Sequence, residues 1–185
     1  VIDQKAINHV GRIHSIPLPE IPVSEGDSSI QLLSPENLRP LLKRRAFDTH
    51  KGSAGRVSII AGSKGLTGAA VLSALGALHS GGGLITLFVP QEIYEIVAAQ
   101  APVEVMVRPY SSSLKEITEH RTDVFAIGPG LGDKVIMRIT DLAISHPGPV
   151  VMDADLLNWI SREPSTIEKF RSHQRLLTPH PGELE

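Results

Sequence analysis

The chain has 185 residues, enough to bury a sizeable core, and its 41% hydrophobic content is typical of a globular protein. A net charge of −2 without long runs of one sign gives no indication of nucleic acid or a membrane surface as a partner. The lack of cysteine excludes disulfides, thiolate metal sites and a cysteine nucleophile. Because the sequence has neither a long apolar stretch nor a signal-peptide pattern, we expect a cytoplasmic protein.

The N-terminal part of the sequence does not have the pattern of an α/β domain. Residues 11–18 predict one strand, and the prolines and serines that follow are typical of a linker. Ser34 and Pro35 suit the N-cap and first position of a short helix over residues 32–42. We therefore predict a domain boundary between Pro22 and Phe47, with a linker at 23–46 and the main domain over 47–185.

The main domain opens with the pattern of a βαβ unit. Residues 57–61 predict a buried strand, residues 62–68 a glycine-rich loop and residues 69–79 a helix, followed by a second strand at 84–89. The apolar residues Val71, Leu72, Leu75 and Leu78 are expected on or near one face of the helix. A right-handed βαβ unit places the loop outside the carboxyl end of a strand, where open α/β sheets bind ligands.

The glycine loop matches neither common phosphate-binding motif. Its glycines fall at positions 62, 65 and 68, and Gly68 is followed by two alanines instead of a Lys-Ser or Lys-Thr pair. Free backbone amides at a helix N-terminus still favour an anionic or polyhydroxyl ligand. A tight connection without a ligand is an equal alternative for this loop alone.

Strands and helices alternate through the rest of the chain. Proline and glycine at the ends of apolar runs predict strands at 103–107, 124–127, 150–152 and 175–177. Apolar residues at helical spacing predict helices from Gln91 onward, at 114–119, at 134–144 with Asp133 as N-cap, and at 164–170. This alternation is the pattern of an α/β protein with a doubly wound, mostly parallel sheet and helices on both faces.

Polar, turn-forming sequences follow three of the predicted strands. They are GPGLG at 128–132, DAD at 153–155 and TPHPGE at 178–183. Asp153 and Asp155 could accept hydrogen bonds from hydroxyls or hold water around a cation, and Pro179 and Pro181 restrict the backbone around His180. Each feature alone is commonly structural, but with the 62–68 loop all four meet at one sheet edge, which predicts a binding cleft. The spacing suits neither a nucleophile–base set nor a zinc site.

Five segments of the sequence together resemble one family. HKGSAGRVSIIAGS, GLTGAA, AIGPGLG, VVMDADLLN and LLTPHPGE are similar, in this order, to the motifs of the ADP/ATP-dependent NAD(P)H-hydrate dehydratases of the ribokinase-like superfamily, over residues 50–183. The resemblance implies a ribokinase-like doubly wound fold, incomplete in this chain. Residues 1–22 also resemble the tail of the NAD(P)H-hydrate epimerase (isomerase) domain that precedes the dehydratase in bifunctional bacterial proteins.

The resemblance implies repair of hydrated NADH or NADPH as the reaction. ADP or ATP, with Mg²⁺, phosphorylates the ring hydroxyl, and phosphate then leaves with help from the lone pair of the ring nitrogen. The motifs assign hydrate binding to Ala69, Gly130 and His180, with Asp153 as a neighbour of the reacting region. We also expect a homo-oligomer, without a nucleic acid or membrane partner.

The sequence also departs from the family pattern. The family carries its catalytic aspartate in a G-T-G-D segment after the HPGE motif, and residues 1–185 contain no such segment. We therefore expect a fragment of a parent protein, with no turnover by residues 1–185 alone. A ribokinase-like kinase for a small alcohol, of the hydroxyethylthiazole or sugar type, and a non-catalytic binding module are the alternative functions.

Overall fold

A computed structural model of the chain describes residues 38–41, 54–170 and 174–183. The chain divides into two compact units, Val1–Arg45 and Ala46–Glu185. The described residues of the first unit contain a 3₁₀ turn at Arg39–Leu41, within the helix predicted at 32–42. The strand predicted at 11–18 lies outside the described residues.

The second unit contains a sheet of six parallel strands. They are β1 (Arg56–Ile60), β2 (Leu84–Pro90), β3 (Met106–Tyr110), β4 (Val124–Ile127), β5 (Val150–Met152) and β6 (Arg175–Leu177). Their order across the sheet is β3-β2-β1-β4-β5-β6. The chain therefore adds β2 and β3 on one side of β1, crosses back, and adds β4, β5 and β6 on the other side.

Helices connect the strands on both faces of this sheet. They are α1 (Thr67–His79), α2 (Tyr94–Gln100), α3 (Lys115–Thr118), α4 (Ile136–Ser145), α5 (Ala154–Arg162) and α6 (Ser165–Lys169), with 3₁₀ turns at Gln91–Ile93 and Pro181–Glu183. The predicted doubly wound α/β fold is confirmed. Within the described ranges, no helix is long and apolar enough to cross a membrane.

Alternate residues of the central strands enter two separate cores. Ile59 and Leu87 face α1 and α2, in a core that also contains Ala70 and Val97. The next residues along the same strands face the opposite core, which contains helices α3 to α5; its central side chains include Ile60, Phe88, Ile127, Ile139 and Leu156. Because both faces of the central strands are covered, the strands appear in the sequence as continuous apolar runs.

Helix α1 packs against the sheet through alanine. Ala70 and Ala74 are its buried residues, whereas Leu72 is 69% exposed. The small side chains allow the helix axis to lie close to β1, so that the N-terminal turn of α1 reaches the loop that follows β4.

Strand β3 lies three residues later than the sequence pattern predicted. The amide of Val105 donates a hydrogen bond to the carbonyl of Pro102 in a turn, and Val103 is 97% exposed. Pro109 lies inside the observed strand, paired with Val89. A proline is tolerated there because β3 is an edge strand and needs amide donors on one side only.

Two helix predictions on the far side of the sheet need correction. Helix α4 begins at Ile136 with Val135 in the N-cap position, so Asp133 does not cap it. Helix α5 was not predicted at all, and it begins directly after Asp153. Ile136 and Ile139 are buried apolar side chains of α4 that face the core.

Arg175 on the edge strand β6 closes the C-terminal end of α4. Its guanidinium donates hydrogen bonds of 2.8 Å to the carbonyls of Ala143, His146 and Gly148. It also lies 5.9 Å from the ring centroid of Phe170. A cation at a helix C-terminus is favourable, and here it satisfies carbonyls that the helix leaves unpaired.

We expect Arg175→Met to lower the free energy of unfolding by about 2–4 kcal/mol, because several hydrogen bonds to a charged donor are lost together. Urea denaturation measures this loss. Arg138→Met is the matched control, since exposed Arg138 also donates to a backbone carbonyl, that of Ser112 at 2.5 Å. The control should cost less than about 1 kcal/mol, and equal losses would contradict the role of Arg175.

Candidate functional site

The strand order reverses between β1 and β4, and the loops that follow these two strands are joined there. The amide of Gly62 donates to the carbonyl of Pro129 at 2.9 Å, and the amide of Gly128 donates to the carbonyl of Ile60 at 3.2 Å. Gly62 has φ +84°, and a Cβ atom there would lie 2.9 Å from the Cβ of Ala70. Only glycine therefore fits this position, and the crevice floor is made of backbone.

The structure brings Ala69 and Gly130 into contact. Ala69 lies in the first turn of α1, and a Cβ atom on Gly130 would lie 3.0 Å from the Cβ of Ala69 and 3.0 Å from that of Leu66. Gly130 has φ +63°, in the left-handed region that favours glycine. Two residues predicted to bind the same ligand thus form one small, rigid surface at the reversal point.

Asp153 follows β5 on the same edge of the sheet. Its amide donates to the carbonyl of Ile127, and a Cβ atom on Gly128 would overlap its carbonyl oxygen, so the ends of β4 and β5 touch through backbone. Its carboxylate makes no hydrogen bond or ion pair with the described residues. Asp153 is therefore free to bind a ligand or a hydrated cation.

Asp155 has a different task from Asp153. Its Oδ2 accepts a hydrogen bond of 2.9 Å from the amide of Gly132, which fixes the end of the GPGLG loop. Between the two aspartates, Ala154 has φ +47°, a left-handed conformation that is strained for a residue with a side chain. The sequence predicted Asp155 only as a possible ligand-binding carboxylate. Its hydrogen bond to Gly132 could not be predicted, because the two residues are 23 positions apart and meet only in the folded chain.

His180 lies in the turn after β6, and its ring is held by its own loop. The amide of Gly182 donates to Nδ1 at 3.0 Å, so the ring proton lies on Nε2, which is 3.2 Å from Oε1 of Glu183. The other carboxylate oxygen of Glu183 accepts from the amide of His180. The imidazole is 69% exposed and the carboxylate only 5% exposed, so a ligand can reach the ring from the solvent side.

A cavity of about 460 Å³ at the same edge is lined by the loops that follow β1, β2, β3 and β4, and Gly132 is one of its lining residues. Tyr110, the last residue of β3, lines it and is 4% exposed, and its hydroxyl has no hydrogen-bond partner among the described residues. Burial, with the charge of Glu92, raises the pKa of Tyr110 well above its usual value. Sequence reasoning missed this residue because it ended the strand at Val107.

The described ranges contain no group of three histidine, aspartate or glutamate side chains that could hold a metal ion. A divalent cation that is bound through phosphate oxygens needs only one or two carboxylates from the protein. The unpaired carboxylate of Asp153 fits that requirement.

These features define an open α/β protein whose strand order reverses between β1 and β4, the position at which proteins of this class bind their ligands. The profile of the NAD(P)H-hydrate dehydratase family matches residues 57–185. The chain therefore belongs to this family, as the sequence motifs predicted.

Individual relatives agree with the family match. The bifunctional NAD(P)H-hydrate repair enzyme Nnr of Coxiella burnetii is 37% identical over 156 residues, which are 83% of this chain and 30% of that protein. The ADP-dependent (S)-NAD(P)H-hydrate dehydratase of Neisseria meningitidis is 32% identical, with 85% and 54% covered. The chain thus spans about a third of the first relative and about half of the second.

Solved structures show the same fold. The ADP/ATP-dependent NAD(P)H-hydrate dehydratase of Bacillus subtilis, crystallised with ATP and Mg²⁺, superposes with a TM-score of 0.64 at 27% identity, covering 80% of this chain and 52% of that one. A ribokinase-like superfamily protein of Enterococcus faecalis gives a TM-score of 0.67 at 26% identity, with 82% and 54% covered. The predicted ribokinase-like fold is confirmed.

The contact between Gly130 and Ala69 can be tested by measuring the free energy of unfolding of glycine-to-alanine variants. We expect Gly132→Ala to cost about 1–2 kcal/mol, because Gly132 also has a left-handed φ of +67° but leaves space for a Cβ atom. Gly130→Ala should cost more, since its Cβ atom would also press on Ala69 and Leu66. Urea denaturation of both variants measures the difference, and equal losses would show that the loop moves aside.

Proposed function

We propose that this chain acts in the ADP- or ATP-dependent dehydration of hydrated NADH or NADPH. The observation that carries the proposal is the family match, which covers all four strand-end loops. Two of the residues predicted to bind the hydrate, Ala69 and Gly130, are in contact within the matched region. Hydroxide is a poor leaving group, so the nucleotide phosphorylates the ring hydroxyl first. Phosphate then departs as the ring nitrogen donates its lone pair, and loss of a proton from the adjacent ring carbon to solvent restores the double bond of the dihydronicotinamide ring.

In this proposal the backbone of the crevice positions the hydrate. Ala69 and Gly130 present a surface without projecting side chains, so a ring or ribose can approach closely. The amides of the first turn of α1 point toward the same loop and favour the negative charge of the dinucleotide phosphates. Hydrogen bonds from Gly62 and Gly132 hold both loops in place before the ligand arrives.

Asp153 and His180 supply the polar side chains of this part of the site. Asp153 would hold a hydrated Mg²⁺ that neutralises the phosphates of ADP or ATP. His180 would donate its Nε2 proton to an oxygen of the hydrate, in exchange for its contact with Glu183. Both residues follow neighbouring strands, β5 and β6, at one edge of the sheet.

A binding experiment separates this proposal from the kinase alternative. Isothermal titration of the chain with hydrated NADPH, and separately with hydroxyethylthiazole and ribose, compares the two substrate classes. We expect heat of binding with hydrated NADPH and none with the small alcohols. Binding of a small alcohol without binding of the hydrate would favour the kinase and contradict the proposal.

We expect His180→Ala to weaken the binding of hydrated NADPH roughly five- to a hundredfold. This range corresponds to one lost hydrogen bond of about 1–3 kcal/mol. The melting temperature should change little, because the ring is mostly exposed and supports little packing. Titration and thermal melting of the same sample give both values.

His79→Ala is the matched control for this variant, since His79 is also an exposed histidine, at the C-terminal end of α1. It should leave both hydrate binding and melting unchanged. Unchanged hydrate binding in His180→Ala would remove His180 from the site.

A further inference from the structure

Gly130, which is proposed to bind the hydrate, is positioned through its neighbours. Gly130 itself makes no hydrogen bond with a described residue. On the N-terminal side of its loop, the amide of Gly128 donates to the carbonyl of Ile60, and the carbonyl of Pro129 accepts from the amide of Gly62. The position of Gly130 therefore also depends on how the C-terminal side of the loop is held.

On that C-terminal side, a single side chain holds the loop. Oδ2 of Asp155 accepts a hydrogen bond of 2.9 Å from the amide of Gly132, and no other side chain of the described residues makes a hydrogen bond with residues 128–132. The backbone hydrogen bonds of the loop are available to many sequences, whereas this bond requires an acceptor side chain at position 155. The order of the loop thus depends on the identity of one residue.

The backbone around Asp155 is fixed at a cost. Ala154 has φ +47°, a left-handed conformation that is unfavourable for a residue with a side chain. On the other side, Leu156 and Leu157 are buried in the first turn of α5. Strained residues persist where the surrounding structure fixes them, and they are common at functional sites. Strain directly beside Asp155 is therefore a reason to look for a functional role of its carboxylate.

Capping of helix α5 does not account for this segment. Asp153 occupies the N-cap position with an extended backbone, φ −141° and ψ 163°, but its carboxylate makes no cap hydrogen bond. An aspartate at an N-cap usually accepts from the amide of the second or third helical residue. The carboxylate of Asp155 bonds to the loop after β4 instead of to its own helix. Both carboxylates are thus available to the sheet edge.

We propose that Asp155 is a positioning residue for the hydrate, which holds the loop after β4 so that Gly130 stays against Ala69. This proposal rests on the proposed function for the identity of the ligand. A loop that is already ordered loses little conformational freedom when the ligand binds. Without the bond from Asp155, part of the binding free energy would be spent on ordering the loop.

The experiment compares Asp155→Ala with Asp155→Asn. Asparagine keeps an acceptor oxygen for the Gly132 amide but carries no charge, so it separates the hydrogen bond from a direct effect of the charge, such as cation binding. Asp141→Ala is the matched control, because Asp141 is an exposed aspartate on α4.

The first measurement needs no ligand. A Cβ atom on Gly130 would lie 3.0 Å from the Cβ atom of Ala69, so a nuclear Overhauser contact between the α-protons of Gly130 and the methyl protons of Ala69 reports the position of the loop. We expect this contact in the unmodified chain, in Asp155→Asn and in Asp141→Ala. It should be lost in Asp155→Ala.

The second measurement is titration with hydrated NADPH. Asp155→Ala should bind the hydrate roughly ten- to a hundredfold more weakly, the range that corresponds to one lost hydrogen bond to a charged acceptor. Asp155→Asn should bind within about fivefold of the unmodified chain, since a neutral acceptor replaces the charged one. Asp141→Ala should bind as the unmodified chain does. Thermal melting of each sample shows that the titrated protein is folded.

Three results would overturn the inference. They are a Gly130–Ala69 contact that persists in Asp155→Ala, hydrate affinity that is unchanged in folded Asp155→Ala, and an equal loss of affinity in Asp155→Ala and Asp155→Asn. The last result would show that the charge acts directly. If the unmodified chain does not bind hydrated NADPH but Asp155→Ala still loses the Gly130–Ala69 contact, the proposed function is wrong and the role of Asp155 in positioning the loop stands.

Discussion

The hydrogen bond from the Gly62 amide to the Pro129 carbonyl, 2.9 Å long, joins the two halves of the sheet at the point where the strand order reverses. It can form only because Gly62 lacks a side chain and because α1 packs through Ala70, which leaves the loops room to meet. The contact of Gly130 with Ala69 depends on this arrangement. This hydrogen bond, together with that from the Gly128 amide to the Ile60 carbonyl, sets the position of both loops that form the crevice.

A crevice made of backbone has a thermodynamic advantage for binding. Main-chain groups that are already held by hydrogen bonds lose little conformational freedom when a ligand arrives, so less binding free energy is spent on ordering the site. Asp155 contributes to this rigidity by accepting from the Gly132 amide. Ala154, between the two aspartates, has a strained left-handed backbone. Burial of Leu156 and Leu157 in the first turn of α5 offsets this strain.

The sequence predicted the fold class and most of the edge that carries the site, because glycine, proline and aspartate after apolar runs mark the carboxyl ends of strands. It could not predict contacts that depend on packing, such as the alanine face of α1. It also misplaced β3, since Pro109 appears to break a strand unless one knows that the strand lies at the edge of the sheet. Helix α5 was missed because the DAD segment has the composition of a loop.

The misplaced strand explains why the β3 end of the edge was not predicted. Strand-end reasoning identifies a site residue only if the end of the strand is correct, and a shift of three residues removed Tyr110 from consideration. The two halves of the edge also differ in how they can recognise a ligand. On the β4 side, a backbone surface allows a ligand to approach closely, whereas on the β3 side a tyrosine, a proline and an ion pair enclose a volume. Close approach serves chemistry, and enclosure serves affinity.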